Sequence, residues 1–239
     1  MPPKISIVTV TCNAGLLLEK TFASIEKLKY DNKELIVVDG LSTDNTMTII
    51  KRYSERGIIT SYVSEYDNGI YDAMNKGARM CSGEWVIFMN AGDAFASDDV
   101  LQRVFSGSPI EADIVYGDVV KNGLVKQAPA RFHLYHRMLF CHQSAFVRRS
   151  CLLGMPFDTN HRLSADLKFF LGQYLRHARF RHVGIPVSIF DTNGVSNSQR
   201  SKGLRDNIRV VCETIPYPRR IQFVLRLLVP YLMCKLRGK

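Results

Sequence analysis

The sequence lacks the patterns that mark several common classes of protein. No apolar run reaches the roughly 20 residues that a membrane-spanning helix needs. Residues 1–4 lead directly into a strand-like run, so we expect no N-terminal signal peptide. The six cysteines include no CxxC pair, and this spacing favours reduced thiols in the cytoplasm over a disulfide framework or a zinc site.

The glycine motifs that cradle phosphate groups are also absent. The chain contains neither GxxxxGKS/T nor a GxGxxG that follows a strand. A nucleotide bound by this chain would therefore be held through a metal ion, through an acid that reads the base and through contacts with the ribose.

Acidic residues are missing from the end of the chain. None follows Glu213, and much of the net charge of +10 comes from basic residues in this tail. Apolar residues lie among these charges from Arg219 onward, which is typical of a helix that lies in an anionic membrane surface. A terminal helix that packs on the domain is the alternative. A nucleic-acid-binding protein would have basic and aromatic residues interleaved on one face. Here the excess positive charge lies mostly in the tail, so we expect no nucleic-acid partner.

Short apolar runs alternate with amphipathic segments through the first 95 residues, as in parallel βαβ units. The predicted strands are Lys4–Val10, Glu34–Asp39, Ile58–Ser64 and Glu84–Met89. The predicted helices are one that follows an Asn13 cap, then Thr46–Arg56 and Ile70–Met80. The last strand is continuously apolar from Trp85 to Met89, which indicates burial on both faces of a sheet.

The pattern changes near residue 95. We predict a short helix to about Phe105, a hairpin that turns at Lys121-Asn122-Gly123, and a strand at His142–Arg148. Further predictions are a helix from a Ser164 cap to about Arg176, an extended stretch Arg179–Phe190, and helices at Lys202–Glu213 and from Arg219 onward. We expect one domain in two halves, residues 1–95 and 96–215, and a basic amphipathic tail, residues 216–239.

Nearly every strand of the first half is followed by an acid or an amide. Asn13, Asp39 and Asp67 follow the first three strands, and Asn90 and Asp93 follow the fourth. The carboxyl ends of parallel strands share one edge of the sheet, where ligands bind in open α/β folds. Acids gathered there repel one another unless a cation or a donor-rich ligand lies among them. We therefore expect a binding site at this edge.

Four motifs in this order resemble the inverting family 2 glycosyltransferases. They are residues 9–13 (TVTCN), 37–46 (VVDGLSTDNT), 67–77 (DNGIYDAMNKG) and 90–93 (NAGD). The resemblance is dense from residue 4 to about 95, sparser to about 198 and absent from the tail. Within the family the chain looks like the colanic-acid type of bacterial exopolysaccharide clusters. The resemblance implies the GT-A fold of nucleotide-diphospho-sugar transferases, a mostly parallel Rossmann-like sheet flanked by helices.

The resemblance implies a donor-binding role for five residues of the first half. Asp39 would accept a hydrogen bond from the base of the nucleotide, as a carboxylate can from the N–H of uracil. Thr9 and Asn13 would line the base and the ribose, and Asp67 would be a second acid beside them. Lys76 would lie near phosphate, and a solvated surface lysine is an equal alternative.

The metal motif of the family usually offers two or three carboxylates, whereas this chain has Asn90-Ala91-Gly92-Asp93. Asp93 is therefore the expected direct ligand of Mg²⁺ or Mn²⁺, with the diphosphate and water completing the shell. Asn90 would contact the metal through its carbonyl oxygen or the sugar through its amide. Capping of the next helix is the alternative role of Asp93.

The second half contains further positions that match the family. Asp166, at the start of a predicted helix, would be the base that takes a proton from the acceptor hydroxyl. Its alternative role is that of a partner of the helix dipole. Ala165 stands where the family often has another acid. His142 and Gln143 would lie beside the sugar and the acceptor, and Gly194-Val195-Ser196 would form a loop over the donor diphosphate.

The function implied is transfer of a hexose or hexosamine from a nucleotide-diphospho sugar, with UDP as the expected nucleotide. The expected acceptor is a lipid-linked glycan in bacterial exopolysaccharide, capsule or O-antigen synthesis. The expected location is cytoplasmic and peripheral, on the inner face of the membrane. One alternative is a catalytically silent nucleotide-sugar-binding subunit, because the metal motif has lost an acid. Another is a sugar-1-phosphate nucleotidyltransferase, although Val10–Gly15 lacks the glycine-rich basic loop that such an enzyme needs.

Overall fold

A sheet of nine strands runs through the molecule, with helices on both of its faces. The computed structural model describes residues 2–107, 109–191 and 200–236. The strands are β1 (Ile5–Thr11), β2 (Lys33–Asp39), β3 (Ser61–Ser64), β4 (Trp85–Phe88), β5 (Ala94–Phe95), β6 (Ile114–Lys121), β7 (Leu124–Lys126), β8 (Ala145–Arg148) and β9 (Phe180–Ile189). The helices are α1 (Gly15–Glu26), α2 (Thr46–Glu55), α3 (Ile70–Met80), α4 (Val100–Phe105), α5 (Arg149–Gly154), α6 (Ala165–Leu175), α7 (Arg200–Thr214) and α8 (Arg219–Leu236).

The strand order sets a parallel half of the sheet beside a mixed half. The order is β3-β2-β1-β4-β8-β6-β9-β5, and β7 pairs with β6 outside this path. The strands from β3 to β4 are parallel, and β8 joins β4 antiparallel. In the mixed half, β9 lies parallel to β6 and antiparallel to β5. The predicted α/β fold is confirmed, with its parallel pairs concentrated in the first half of the chain.

Alternate residues of the parallel strands face two separate apolar cores. Ile5 and Ile7 of β1 belong to the core formed with α1, α2 and α4, and Val8 belongs to the core formed with α3 and α6. Trp85 and Phe88 of β4 divide between the same two cores. A strand that is buried on both faces needs an apolar residue at every position, which explains the continuous run in the sequence. The strand ends that carry the expected site are thus held by a sheet buried on both sides.

The predicted hairpin is confirmed in its turn geometry. β6 and β7 pair antiparallel across Lys121↔Leu124. The two residues between them, Asn122 and Gly123, have φ values of 51° and 75°. A two-residue turn of type I′ requires positive φ at both central positions, and asparagine followed by glycine meets that requirement with the least strain.

One predicted helix cap is wrong, and the other stands at the predicted residue without a capping bond. Ala14 precedes α1, and the side chain of Asn13 instead accepts a hydrogen bond from the N–H of Thr43, in the loop after β2. Ser164 precedes α6 but makes no capping bond, because its hydroxyl donates to Asn207 at 2.7 Å. In both places a polar side chain that suits a local cap is used for a contact between distant segments.

The elements after β4 differ from the sequence prediction in three places. His142–Ser144 forms a short 3-10 helix, so β8 begins only at Ala145. The two-residue strand β5 and the helix α5 were not predicted. Such short elements have too few residues to show a period, and their positions are set by pairing with distant strands.

The last described helix, α8, buries one face against the domain and exposes another. Phe223, Leu227 and Cys234 are buried, and the helix packs on α7. The exposed apolar residues of α8 are Ile221, Leu225, Val229, Leu232, Met233 and Leu236. Their spacing of mostly three or four residues places them along one side of the helix. Among the described helices, none combines the length and the apolarity needed to cross a bilayer.

Candidate active site

Asp39, at the end of β2, is fully buried and surrounded by hydrogen-bond donors. Its carboxylate accepts bonds from the N–H of Ser42 at 3.0 Å, from the hydroxyl of Ser42, and from the hydroxyl of Ser64 at 2.7 Å. Ser64 is the last residue of β3, so one carboxylate joins the ends of two neighbouring strands. A carboxylate has about four acceptor positions, so it can also accept an N–H from a ligand.

The loops after β1 and β2 are joined beside Asp39. Asn13 has φ 50° and accepts a hydrogen bond from the N–H of Thr43 at 2.8 Å. The N–H of Asn13 donates to the hydroxyl of Ser42 at 2.7 Å, and Ser42 is itself bonded to Asp39. Asn13 is exposed, so it borders the Asp39 site from the solvent side.

Asp67 lies against Gly40, where a larger residue would not fit. A Cβ on Gly40 would come within 2.4 Å of Asp67 Oδ2 and 3.4 Å of Cys12 Cβ. Burial raises the pKa of the Cys12 thiol, and the negative charges of Asp67, Asp39 and Asp44 raise it further. The acids that follow β2 and β3 are therefore gathered around one point, as the sequence predicts, and the thiol among them stays protonated at neutral pH.

Thr9 and Lys76 act on the scaffold in this structure. Thr9 is fully buried and its hydroxyl donates to the carbonyl oxygen of Met89 at 2.8 Å, which joins β1 to the residue after β4. The ammonium of Lys76 donates to the carbonyl oxygen of Tyr66 and lies 3.0 Å from the carboxylate of Glu65. Lys76 thus ties the loop after β3 to α3, and its expected place near phosphate stays a prediction.

The turn after β4, residues 90–93, is held by Thr21 of α1. The hydroxyl of Thr21 accepts a bond from the N–H of Gly92 at 3.0 Å and donates to the carbonyl oxygen of Asp93 at 2.7 Å. The N–H of Asp93 closes the turn on the carbonyl oxygen of Asn90 at 3.0 Å. Gly92 has φ 98°, a conformation that glycine adopts with little strain. The turn therefore has one fixed shape at the carboxyl end of a central strand.

Asp93 is a buried carboxylate with incomplete compensation. It is 3% exposed, and this burial raises its pKa to about 6. The N–H of Asp191, at 2.8 Å, the ring of His142 and the amide of Gln143 counteract the rise, whereas the Asp191 carboxylate adds to it. A bound cation would favour the ionised form of such a group.

Asn90 provides a buried oxygen that has no hydrogen-bond partner among the described residues. Its side chain is 8% exposed, and the atom concerned is Oδ1. An unsatisfied buried acceptor costs on the order of 1–3 kcal/mol. With the Asp93 carboxylate it makes a pair of hard oxygen donors, the ligand type that Mg²⁺ and Mn²⁺ prefer. The end of β4 therefore fits a divalent cation.

Asp166, in the first turn of α6, accepts hydrogen bonds on both carboxylate oxygens. Oδ1 accepts from the hydroxyl of Tyr71 at 2.9 Å and from the N–H of Leu167 at 2.8 Å, and Oδ2 lies 3.1 Å from Nδ1 of His142. Burial raises the pKa of Asp166, but the His142 contact and the two other donors outweigh it and leave the pKa below its ordinary value. The acid is thus ionised at neutral pH and fixed in orientation.

Two consecutive residues lie near both Asp93 and Asp166. His142 bonds to Asp166, and the ring of His142 and the amide of Gln143 both lower the pKa of Asp93. The thiol of Cys141 donates to Gln143 Oε1 at 2.8 Å, which leaves the amide N–H groups of Gln143 to face the acid. The 3-10 helix that begins at His142 thus contacts the expected base and lies near the expected metal ligand.

Ala165 and the predicted diphosphate loop are the remaining predicted positions. Ala165 is fully buried and packs in the core beside Asp166. Gly194, Val195 and Ser196 lie outside the described residues, so the loop over the diphosphate stays a prediction.

Several residues that build the site were not predicted. Ser42 and Tyr71 lie inside the matching motifs, and their hydroxyl groups were a signal that could have been used. Thr21, Ser64 and Asp191 carry no motif, and only the sheet register and the packing of α1 bring them to the acids.

A second group of possible metal ligands, Asp158, His161 and Glu213, forms an ion network instead. Their ligand atoms lie within 4.8 Å of one another. The ammonium of Lys168 lies 2.6 Å from both carboxylates and places a positive charge between them. The second nitrogen of His161 is used by Asp206 at 2.9 Å. This network joins α6 to α7 and has no need of a metal.

Comparison of the sequence with known families and proteins gives consistent matches. The family model described as "Glycosyl transferase family 2" matches residues 6–162. A "PGL/p-HBAD biosynthesis glycosyltransferase" of Mycobacterium tuberculosis is 35% identical over 211 residues, which cover 82% of this chain and 80% of that protein. A "GalNAc(5)-diNAcBac-PP-undecaprenol beta-1,3-glucosyltransferase" of Campylobacter jejuni is 28% identical over 127 residues, 52% of this chain and 40% of that protein.

Solved structures share the fold at low sequence identity. TarS 1-349 of S. aureus in complex with UDP-GlcNAc superposes with a TM-score of 0.70 at 17% identity, over 94% of this chain and 71% of that one. The mannosyltransferase PcManGT of Pyrobaculum calidifontis, in complex with GDP-Man and Mn²⁺, gives a TM-score of 0.72 at 18% identity, over 95% of this chain and 69% of that one.

Proposed function

This chain belongs to glycosyl transferase family 2 and is a glycosyltransferase of the GT-A fold, and we propose that it moves a hexose or hexosamine from a UDP-sugar to a lipid-linked glycan. The acceptor belongs to bacterial polysaccharide or glycolipid synthesis, and the enzyme works on the cytoplasmic face of the membrane. A relative named for an undecaprenol-linked glycan and a fold neighbour solved with UDP-GlcNAc support the choice of acceptor and donor.

The observation that carries the proposal is that Asp93 and Asp166 both lie near His142 and Gln143. Transfer requires that the diphosphate of the donor and the hydroxyl of the acceptor meet at one anomeric carbon. Asp93 provides the carboxylate for the diphosphate side, and Asp166 provides the carboxylate for the hydroxyl side. His142 and Gln143 set the position of one relative to the other. A catalytically silent subunit would have no need of both acids.

Asp166 accepts the proton of the acceptor hydroxyl as that oxygen attacks the anomeric carbon opposite the diphosphate. The hydrogen bonds from Tyr71 and His142 keep Asp166 ionised and fix its orientation while the substrates are bound. These bonds also lower the basicity of Asp166, so the carboxylate is ionised at neutral pH and its rate of proton transfer depends on geometry. Asp166 then returns the proton to water after the product leaves.

Asp93 and Asn90 are the residues that hold a divalent cation, Mg²⁺ or Mn²⁺. The cation supplies positive charge for the departing diphosphate. Asn90 contributes a neutral ligand, so this chain carries less negative charge at the end of β4 than relatives with two acids do. We therefore expect the metal to bind weakly without nucleotide and firmly with it.

Asp39 accepts the N–H of the uracil ring, and the hydroxyl groups of Ser42 and Ser64 hold the carboxylate in place. Asn13 and Asp67 border the same end of the sheet and contact the ribose. These contacts hold the base without the glycine-rich loop that the sequence lacks.

The acceptor enters beside the 3-10 helix. A pocket of about 250 Å³ opens next to Cys141 and is lined by Lys121, Lys126, Met138 and Phe140, among others. Apolar walls with two lysines suit a glycan that carries a lipid phosphate. The segment that forms one wall continues back to His136, whose ring lies against Phe223 of α8, with ring centroids 6.0 Å apart.

The exposed apolar side of α8 lies in the membrane surface. By helical spacing, Arg219 and Arg226 border this side on one edge and Lys235 borders it on the other. An apolar stripe with positive charges on both edges matches the boundary between acyl chains and anionic headgroups. The other face packs on the domain, so the helix holds the acceptor pocket close to the lipid.

The donor is tested by calorimetry with UDP, GDP and dTDP in the presence and absence of Mn²⁺. We expect the tightest binding for UDP with Mn²⁺, and about tenfold or greater weakening in Asp39→Asn, because the amide loses half of its acceptor capacity. Asp31→Asn, on an exposed turn, is the matched control. Absence of UDP binding with or without metal would overturn the UDP-transferase proposal.

The membrane contact is tested by co-sedimentation with vesicles of anionic and of neutral phospholipid. The double variant Leu225→Ser, Val229→Ser removes exposed apolar groups only, so we expect several-fold less binding to anionic vesicles and an unchanged melting temperature. Leu124→Ser, at an equally exposed leucine of the hairpin, is the control. Equal binding of the double variant and the wild type would exclude α8 as the contact.

A further inference from the structure

The pairing of β5 with β9 brings a distant acid to the turn after β4. Ala94 pairs with Ile189, Phe95 pairs with Ser188, and the N–H of Ala96 donates to Val187 in the same register. Continued by two residues, this antiparallel register sets Asp191 opposite Gly92. The N–H of Asp191 indeed donates to Asp93 Oδ1 at 2.8 Å.

Gly92 allows the side chain of Asp191 to approach the turn. A Cβ on Gly92 would lie 2.8 Å from Asp191 Oδ2 and 3.1 Å from Asp191 Cβ. The Asp191 carboxylate therefore occupies the space that a side chain at position 92 would fill. Gly92 also has φ 98°, so glycine is required at this position for two independent reasons.

Two acids and an unsatisfied side-chain oxygen are gathered at this turn. Asp93 and Asp191 bring two carboxylates to one turn, and the buried Oδ1 of Asn90 adds a further oxygen that has no partner among the described residues. Lys20 directs its ammonium to the carbonyl oxygen of Gly92 at 2.8 Å, and His142 contributes on the side of Asp93. Two close carboxylates and an unsatisfied carbonyl oxygen are a ligand set for a divalent cation.

We propose that Asp191 supplies the second carboxylate ligand of the divalent cation, in place of the acid that Asn90 replaces in the motif. The proposal deepens the proposed function and depends on it. The metal ligands are then the carboxylates of Asp93 and Asp191 and the side-chain oxygen Oδ1 of Asn90, from two segments that the β5–β9 pairing holds together. Although position 90 is an amide, the site thus still has two carboxylates.

The test is a titration with Mn²⁺ in the presence of saturating UDP, in which the electron paramagnetic resonance signal measures the free ion. Asp191→Asn keeps the backbone N–H bond to Asp93 and removes one carboxylate. We expect its dissociation constant for Mn²⁺ to rise by about tenfold or more. Asp98→Asn removes an acid whose side chain is 44% exposed and paired with Lys29, and is expected to bind Mn²⁺ as the wild type does.

The melting temperature of each variant is measured alongside its titration. If Asp191→Asn melts at a lower temperature than the wild type, the titration is repeated with Asp191→Ser. Mn²⁺ affinity that is equal in wild type, Asp191→Asn and Asp191→Ser would overturn the role of Asp191 and leave the transferase proposal intact. A wild type that binds UDP but never Mn²⁺ would overturn the metal site alone. A wild type that binds neither would overturn the proposed function with it.

Discussion

Nδ1 of His142 lies 3.1 Å from Oδ2 of Asp166, and neither side chain is more than 15% exposed. The imidazole and the carboxylate come from segments 24 residues apart, and Tyr71, from the first half of the chain, completes the set of donors. A base that is surrounded by donors is held ionised and is moderate in strength. Its environment is thus suited to a step in which alignment matters more than proton affinity.

The hydroxyl of Tyr71 should set the pH at which activity appears. Tyr71→Phe removes a donor that lowers the pKa of Asp166, so the pKa rises and the acidic limb of the rate profile moves to higher pH, by up to about one unit. The ring still packs on Phe157, so stability should change little. The measurement is kcat/KM against pH, with Tyr62→Phe, on an exposed residue of β3, as control. An unmoved acidic limb would contradict the role of Tyr71.

Asp166→Asn should separate donor binding from transfer. The amide fits the same space and keeps an oxygen for Tyr71 and Leu167, but it cannot take a proton. We expect turnover to fall by about 10²–10⁴-fold and UDP affinity to stay within about twofold. Asp31→Asn serves as control, because that acid lies on an exposed turn. Full transfer by Asp166→Asn would remove Asp166 as the base.

Asp93 should make the metal-free protein less stable as the pH rises. Its folded-state pKa of about 6 exceeds the ordinary 3.8, so the folded chain holds this proton more tightly than the unfolded chain does. The contribution of Asp93 to the free energy of unfolding is therefore constant below about pH 4, falls between about pH 4 and pH 6, and is constant above that. The total loss of stability from this group between the two limits is on the order of 3 kcal/mol.

Asp93→Asn removes that titration and can still accept the N–H of Asp191. The difference in unfolding free energy between variant and wild type, measured by denaturant titration without metal, should thus shift in favour of the variant between about pH 4 and pH 6. The same comparison for Asp31→Asn should show no such trend. A pH-independent difference for Asp93→Asn would show that the folded-state pKa is ordinary.

The His161 network should matter for stability and not for metal binding. His161→Ala leaves the buried carboxylate of Asp206 without its main partner, which costs about 3 kcal/mol when a buried pair is broken from one side. His133→Ala, at an exposed histidine, should cost little. Chemical denaturation measures the stability, and the Mn²⁺ titration described above measures the metal. Loss of Mn²⁺ affinity in His161→Ala at temperatures where it is folded would identify a second metal site.

The sequence predicts the parallel half of the fold well because its signals are local. Alternating apolar runs, the asparagine–glycine turn and the acids after each strand are all visible within short windows. Asp39 and Asp93 could be placed at one sheet edge from strand order alone. Asp191 could not, because it lies 98 positions from Asp93 and is brought there by the pairing of a two-residue strand, β5, with β9.

Side-chain roles are harder to predict than positions for a related reason. Asn13 and Ser164 have the right residue type for a local cap, yet each bonds to a distant segment. Thr9 and Lys76 lie in motifs and serve the scaffold. Residue type and spacing show what a side chain can bond to, and tertiary packing decides which of the possible partners it meets.

The position of β9 also governs when the enzyme can first capture its donor during synthesis. This strand is inserted between β6 and β5, so its pairing closes a very long loop and is entropically slow. A nascent chain that has emerged only as far as β8 already carries Asp39 and Asp93 but neither Asp166 nor Asp191, since Asp166 follows β8 and Asp191 follows β9. We therefore expect the site to be complete only after β9 has left the ribosome, and a bound ligand would then favour the completed sheet over its partly folded precursors.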